Sequence, residues 1–377
     1  GGGLKSATWS MQVVQTADRM LEGELMDHTV LITGASGGMI GMAYLRELYL
    51  RQAMGDSIDV HDKRYIDDIT KDLVNSIAFT IVSNDLFIPW SSFEKHGYTY
   101  YKDRGYILEQ QLNENTNSWL NKTIGAYRQP EADALIPMLY LTPSIVNDAR
   151  RLIISPQGVS FMMMAPVGQR YPQAVEVDAV DFRAAFQEQD ADNLGLLSAL
   201  RMNATYPYVL PNVHLPSRPE IEVMDAGFLD NYGIVSATRF MQVFREWILE
   251  YTSGVVLVQI SSSDKVEEIQ PSGGKGIVES ILNPLGIAGK VLVKQEFEHD
   301  NSLGFMYDLL GEDNFEVIRF FYYPTQENKL EASISFHMTA REKADVLNAI
   351  HHPENMVGLR RLQAILGKQN TEAAHFD

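Results

Sequence analysis

Residues 29–41 constrain the fold of this chain more than any other segment. They read Thr-Val-Leu-Ile-Thr-Gly-Ala-Ser-Gly-Gly-Met-Ile-Gly, an apolar β-prone run that enters a G-x-S-x-G pentad and continues as helix-forming sequence over residues 38–52. The pattern predicts a strand-to-helix corner with Ser36 at its tip, where backbone strain lifts the hydroxyl clear of its neighbours. Gly34 and Gly38 are expected to be required because side chains at these positions would collide. The positive end of the helix would favour an oxyanion beside Ser36.

The same turn also resembles the dinucleotide-binding turn of the short-chain dehydrogenases, which leaves a second interpretation open. Thr33, Gly34 and Gly38 fit that turn, but the last glycine falls at Gly41, whereas that family's spacing requires it at residue 40. No acidic residue ends a second strand about 20 residues further on, where the ribose would be held. A nucleotide binder is therefore the less favoured interpretation.

The amino-terminal residues Gly1, Gly2 and Gly3 precede Lys5 and a helical pattern over residues 8–21. Three glycines present bare backbone N–H groups, which suit a loop that holds a developing oxyanion. Lys5 is expected to fix such a loop by bonding its carbonyls. A tag remnant or a frayed linker is the alternative for a bare triglycine. In an α/β domain an oxyanion loop follows the first strand, so we expect a strand upstream of Gly1.

A third segment, residues 221–233, reads Ile-Glu-Val-Met-Asp-Ala-Gly-Phe-Leu-Asp-Asn-Tyr-Gly. Its short strand ends at Asp225, and the small residues that follow would let the carboxylate approach a serine hydroxyl and accept its proton in a dry site. A turn aspartate that caps its own backbone is the alternative. Asp230 ranks lower as a base, because it is expected to cap a helix over residues 234–251.

Together these segments resemble the patatin-like phospholipases. That family has a Gly-Gly-Gly-x-Arg-Gly loop, a G-x-S-x-G nucleophile and an Asp-Gly-Gly or Asp-Gly-Ala motif in this chain order. The matching segments here are residues 1–6, 34–38 and 225–227 with Asn231, and a fourth match covers residues 198–211. The resemblance spans about residues 1–235. Departures from the family pattern are Lys5 for arginine, Ser6 and Ala226 for glycine, and Gly233 where proline is common.

The resemblance implies a three-layer α/β/α fold with a mainly parallel central sheet. It also implies a serine acyl hydrolase that cleaves carboxylic esters of lipids or phospholipids through an acyl-Ser36 intermediate. By the family's motifs, Ser36 and Asp225 form a catalytic dyad without histidine. The residues assigned to the oxyanion and substrate are Gly1, Gly2, Gly3 and Gly37, and those assigned to supporting the motifs are Lys5, Gly34, Gly38 and Gly227. This scheme requires no cofactor and no metal, and the nine histidines show no metal-ligand spacing.

Two further alternatives remain open at this point. A Ser-His-Asp hydrolase would use Ser36, Asp225 and His299 in that chain order, although His299 lies in an acidic polar stretch. An inactive patatin-like scaffold would serve as a binding module. The joint retention of Ser36, Asp225 and the glycines weighs against the second of these.

The composition of the chain excludes some classes of binding partner. The 377 residues are 45% hydrophobic and can bury a substantial core. The formal net charge of −18 argues against nucleic acid or a generally anionic membrane surface as an electrostatic partner. A lipid substrate would then be met through apolar contacts, with transient contact with a membrane. The chain has no cysteine and no apolar run of the length that spans a bilayer. A cytoplasmic or membrane-associated location is favoured, and the sequence does not define the oligomeric state.

The order of predicted elements indicates one α/β hydrolytic domain over residues 1–330, with its first strand missing upstream. A helical segment over residues 331–377 is expected to pack on the same domain and to break at Pro353. An aromatic stretch, residues 84–101, is a candidate acyl-binding lid. Strand-like runs occupy residues 30–33, 76–82, 153–164, 221–224, 255–261 and 315–323.

Overall fold

The computed structural model describes residues 2–71, 73, 92–95, 98–101, 103–163, 178–206, 210–262, 295, 297–324 and 336–373. In these ranges the helices are α1 Gly3–Met20, α2 Ser36–Ala53, α3 Arg64–Ile69, α4 Arg104–Asn115, α5 Arg128–Ala132, α6 Phe182–Ala185, α7 Leu196–Ala204, α8 Gly227–Asp230, α9 Ile234–Val243, α10 Arg245–Tyr251, α11 at residues 297–310, α12 Ala340–Asn348 and α13 Pro353–Ala373. Short 3₁₀ turns connect several of them.

The strands form four hydrogen-bonded groups within the described ranges. They are β1 Leu31–Gly34, β2 Ser92–Lys95, β3 Tyr98–Tyr101, β4 Met138–Leu141, β5 Ser144–Ile145, β6 Arg151–Ile153, β7 Ala179–Asp181, β8 Val213–Leu215, β9 Ile221–Met224, β10 Val255–Ser261 and β11 Phe315–Phe321. Strands β1 and β4 are parallel, as are β10 and β11. A mixed group has the order β7-β6-β5-β9-β8, and an isolated bridge from Leu141 to Ile154 joins β4 to the end of β6.

Helices cover both faces of the β10–β11 pair. Side chains alternate between the two faces of a strand, and the buried residues of β11 divide accordingly. Ile318 and Phe320 pack against α1, α12 and α13, whereas Phe315 packs against α9, α10 and α11. This arrangement is the predicted three-layer α/β/α fold.

Helices α1 and α2 cross at unusually close range because glycines lie at their contact. A side chain at Gly37 would overlap the carbonyl oxygen of Gly3, and one at Gly41 would come within 2.6 Å of the carbonyl oxygen of Ala7. Gly38 is less constrained, since its added carbon would lie 3.4 Å from the Ser10 hydroxyl. The crowding that we expected at Gly38 is therefore greatest at Gly37.

Some predicted strands begin and end at the same residues as in the structure, whereas other predicted elements do not. The strands at residues 221–224 and 255–261 are as predicted. The run at 153–164 was wrong as a single strand, because β6 ends at Ile153 and a 3₁₀ turn occupies Ser160–Met163 after Pro156 and Gly158. The helix expected over residues 234–251 is divided at Phe244 into α9 and α10.

The carboxyl-terminal helices pack on the main layers. Val346 of α12 and Leu359 and Leu362 of α13 share one buried cluster with Trp9 and Val13 of α1. The domain boundary predicted at residue 330, the strand at 76–82 and most of the lid at 84–101 lie outside the described residues. No described helix has the length and apolar character needed to cross a membrane.

Candidate active site

Ser36 occupies the predicted corner between β1 and α2. It is the first residue of α2, is 6% exposed, and has a φ of 55°, a left-handed conformation that is uncommon for any residue except glycine. The preceding residue Ala35 is extended and supplies no side-chain cap. The first N–H groups of α2 are therefore left to stabilise negative charge near the Ser36 hydroxyl.

Asp225 follows β9 directly and is 3% exposed. Burial raises the pKa of its carboxyl to about 6, although the N–H of Gly227 and the Ser36 side chain both act to lower it. The Gly227 N–H donates to Oδ1 at 2.7 Å. Oδ2 is buried and accepts no hydrogen bond of good geometry from the described residues, so the lone pairs of this oxygen are available to a neighbouring hydroxyl.

The two loops that carry Ser36 and Asp225 are joined by a buried amide. Asn203 of α7 donates from Nδ2 to the carbonyl of Gly34 at 3.2 Å, and its own carbonyl accepts from the N–H of Ala226 at 3.3 Å. Its Oδ1 accepts from the N–H of Thr142 at 2.8 Å. Asn203 therefore holds the end of β1 at a set distance from the residue after Asp225.

Sequence reasoning did not give Asn203 a role. It lies within the fourth matching segment, residues 198–211, and that match was the available signal. In the structure its side chain is completely buried. Ser144 was also missed. Its hydroxyl donates to the carbonyl of Asp225 at 2.9 Å, and no pattern around it indicates this contact.

Two departures from the family pattern have local explanations. Gly233 has a φ of 72°, and an added carbon there would lie 2.6 Å from the carbonyl oxygen of Thr33, so this position needs glycine. Ala226 has φ −60° and ψ −26°, which any residue adopts. The Ala226 methyl group is accommodated in a completely buried position, so the family's glycine is not required here.

Of the predicted oxyanion residues, Gly2 and Gly3 lie at the start of α1, and Gly1 is outside the described residues. The backbone of Gly3 is in direct contact with Gly37, one residue after Ser36. Gly2 is held by Ser6, whose hydroxyl lies 3.0 Å from the Gly2 carbonyl oxygen. The structure thus places the start of α1 against the corner that carries Ser36.

The predicted supporting residues lie around the same corner. Gly34 ends β1, Gly38 is in the first turn of α2, and Gly227 begins α8. Lys5 is buried in α1, and its ammonium lies 5.4 Å from the centre of the Tyr322 ring, a cation–π contact. That Lys5 bonds the carbonyls of the glycine loop stays a prediction.

His299 lies on α11 and belongs to a different set of contacts. Its ring packs edge-on against Tyr232 with 5.9 Å between ring centres, and burial lowers its pKa, opposed mainly by the negative charge of Asp230. In the part of the chain that the structure describes, it makes no hydrogen bond to Ser36 or Asp225. Asp230 caps α9, as predicted, by accepting from the N–H groups of Val235 and Ser236.

No group of three or more potential metal ligands occurs among the residues that the structure describes. The layered fold, the serine at a left-handed corner and the buried carboxylate beside it define a class, the α/β proteins with a serine at a strand-to-helix turn. The family model described as patatin-like phospholipase matches residues 1–238, which is more than half of the chain. The chain therefore belongs to the patatin-like phospholipase family, and this places it in general terms among lipid acyl hydrolases. None of the curated proteins matches the chain.

Proposed function

We propose that this protein hydrolyses carboxylic ester bonds of lipids or phospholipids by a Ser36/Asp225 dyad. The observation that carries the proposal is the buried Asp225 carboxylate beside Ser36, with one oxygen held by Gly227 and the other left without a well-formed hydrogen bond. A desolvated carboxylate with a raised pKa is a stronger base than one in water, and it can accept a hydroxyl proton without an intervening histidine.

In this mechanism Ser36 Oγ attacks the ester carbonyl carbon while its proton passes to Asp225. The N–H groups of Gly2, Gly3 and Gly37 stabilise the oxyanion, aided by the amino-terminal end of α2. Collapse of the tetrahedral species breaks the ester C–O bond, and the leaving alcohol takes the proton from Asp225. Water then attacks the acyl-Ser36 ester, with Asp225 again accepting a proton, and the fatty acid leaves as Ser36 recovers its own.

A fluorophosphonate probe tests the proposal on the unmodified chain. Such probes react with activated serine hydroxyls, so we expect one adduct per chain, located by peptide mass spectrometry on the peptide that contains Ser36, with ester hydrolysis lost in proportion to labelling. Folded protein that takes up no probe would contradict the proposal and would favour the binding module or the nucleotide binder.

We expect a pH profile of kcat/KM with a single acidic limb. Asp225 must be ionised to accept a proton, and burial raises its pKa to about 6. Activity should therefore fall about tenfold for each pH unit below that value and level off above it. Steady-state hydrolysis of a short-chain ester between pH 4.5 and 8 measures this limb. A flat profile down to pH 4.5 would show that the base is not this carboxyl.

Replacing His299 separates the dyad from a Ser-His-Asp triad. We expect His299→Gln to leave kcat within about twofold, because the His299 ring packs against Tyr232, senses the negative charge of Asp230, and makes no hydrogen bond to Ser36 or Asp225 among the described residues. A triad histidine would instead cost about three orders of magnitude or more. A thermal melt of the variant is the control, since the residue is buried, and the comparison uses only protein that melts cooperatively.

A further inference from the structure

Two aromatic side chains stack on each other next to Asp225. The rings of Tyr206 and Phe228 have 5.6 Å between their centres and 19° between their planes. Tyr206 directly follows Thr205, whose carbonyl accepts from the N–H of Asp225 at 2.8 Å, and the N–H of Phe228 donates to the Asp225 carbonyl at 3.4 Å. The two rings therefore come from the two backbone segments that meet at Asp225, one ring from each.

The segment that carries Phe228 also lies against the Ser36 corner. A side-chain carbon added at Gly227 would be 3.0 Å from Oδ1 of Asp225 and 3.9 Å from the methyl carbon of Ala35. Phe228 is the residue after Gly227, and Ala35 is the residue before Ser36. The stacked rings thus begin one residue away from a contact with the corner that carries the serine.

The stacked pair leaves apolar surface open to solvent at this position. Tyr206 is 37% exposed and Phe228 is half-buried. A single exposed aromatic residue is ordinary on a protein surface. Two rings that stack on each other beside a buried carboxylate and a strained serine form a continuous apolar patch, and such patches mark places where a ligand binds.

The backbone beneath both rings is held in place by hydrogen bonds. The bond from Asp225 to Thr205 fixes the segment before Tyr206, and the N–H of Leu210 donates to the Tyr206 carbonyl at 3.1 Å. The carbonyl of Phe228 accepts a hydrogen bond from the side-chain amide of Gln295. A surface that is already ordered loses little conformational entropy when a ligand covers it. The pair therefore has the rigidity of a binding surface.

We propose that the Tyr206–Phe228 pair, the aromatic platform, binds the alkyl chain of the ester and gives the site a preference for longer acyl chains. The platform is uncharged, and the formal net charge of the chain is −18, so a neutral hydrocarbon chain suits this surface better than an anionic group. The inference rests on the proposed hydrolysis at Ser36 for its substrate. It adds to that proposal the two residues that recognise the chain.

The experiment compares kcat/KM for nitrophenyl octanoate and nitrophenyl acetate in the whole protein. Burying one side of a methylene group favours binding by about twofold, so the loss of a ring that covers about three of them should cost about tenfold. We expect Tyr206→Ala and Phe228→Ala each to lower the octanoate-to-acetate ratio by about tenfold. A variant that only disturbed the fold would lower both values and leave their ratio unchanged. An unchanged ratio in both variants would overturn the proposal.

Tyr206→Phe and Tyr251→Ala are the matched controls. Tyr206→Phe keeps the ring and should keep the ratio within about twofold, because the chain contacts the ring and not the hydroxyl. Tyr251 is 65% exposed and packs against Trp247, but it lies just before the amino end of β10. Ser262, just after the carboxyl end of β10, is the residue that bonds Ser6 near the start of α1. Tyr251→Ala should therefore leave the ratio within about twofold, and an equal fall in this variant would contradict the assignment to Tyr206.

Binding of decanoate to Ser36→Ala, followed by NMR titration, separates this inference from the proposed function. In that chain Tyr206→Ala should weaken decanoate binding by about fivefold or more, and Tyr251→Ala should leave it unchanged. Equal binding in all three chains would overturn the platform even if the protein hydrolyses esters. If the unmodified chain hydrolyses neither ester and takes up no fluorophosphonate, the proposed function fails. Decanoate binding that depends on Tyr206 would then still support an alkyl-binding platform.

Discussion

The Ser36→Ala variant is expected to lose about three or more orders of magnitude in kcat for ester hydrolysis. Removal of the hydroxyl takes away the atom that would attack the carbonyl, and no described neighbour at the corner offers another nucleophile in the same place. Stability should change little, because alanine meets the same left-handed strain at φ 55° as serine does. Hydrolysis of a chromogenic ester, together with a thermal melt, measures both effects.

Ser10→Ala is the matched control for that variant. Ser10 is also a buried serine, 7% exposed, and lies on α1 near Gly38. We expect it to keep kcat within about threefold and to remain reactive towards a fluorophosphonate. Hydrolysis retained in Ser36→Ala, or lost equally in both variants, would contradict the assignment of Ser36 as the nucleophile.

The second large effect is expected for Asp225→Asn, which should lower kcat by about two to four orders of magnitude and raise stability at the same time. An amide cannot take the Ser36 proton, but its oxygen can still accept from the Gly227 N–H, which bonds Oδ1 at 2.7 Å in the native chain. The fold is therefore expected to survive the loss of the base.

The expected gain in stability comes from the pKa of Asp225. Below the ordinary pKa of 3.8 the carboxyl is protonated in both folded and unfolded chains. Between 3.8 and about 6 the folded chain alone keeps the proton, so stability falls as pH rises through this window. Above about 6 the buried charge costs the native state about 3 kcal/mol. Asp225→Asn should recover part of this, about 1–3 kcal/mol at pH 7.5 and almost nothing at pH 3.5.

Asp230→Asn provides a comparison of opposite sign. Asp230 is also completely buried, but it accepts three hydrogen bonds from Val235 and Ser236 and lies 3.8 Å from the Arg151 guanidinium. Neutralising it should lower the melting temperature, because it removes charge-assisted bonds and leaves Arg151 without that carboxylate. Denaturant melts of both variants at pH 7.5 decide the matter. If Asp225→Asn is destabilised as much as Asp230→Asn, the Asp225 carboxylate is structural and not a poised base.

The local elements around the site could be predicted because short sequence patterns specify them. Apolar runs bounded by turn residues predicted β9 and β10, and the G-x-S-x-G pentad predicted the corner at Ser36. The run at 153–164 was misleading, since its apolar composition suits a strand while Pro156 and Gly158 end one. The apolar composition of this run does not by itself show that Pro156 and Gly158 end the strand.

Contacts between residues far apart in the chain could not be predicted from the sequence. The link from Asn203 to Gly34 joins residues 169 positions apart, and a single asparagine in an apolar helix does not indicate which backbone group it will meet. The crowding at Gly37 was placed at Gly38 for the same reason. The point at which α1 crosses α2 decides which glycine has no room for a side chain, and tertiary packing sets that point. The departures at Ala226 and Gly233 likewise became interpretable only from their φ and ψ angles.

The amide bridge at Asn203 also limits how a substrate can reach the site. Because a single side chain bonds the Gly34 carbonyl, the Thr142 N–H and, through its own backbone, Ala226, the Ser36 corner and the loop after Asp225 cannot separate without breaking buried hydrogen bonds. If the protein hydrolyses esters as proposed, movement elsewhere in the molecule would have to admit a bulky ester. Ser36 and Asp225 would then have the same relative position for every lipid substrate. Selectivity among lipids would depend on which molecules can enter the site and not on the reaction at the ester bond.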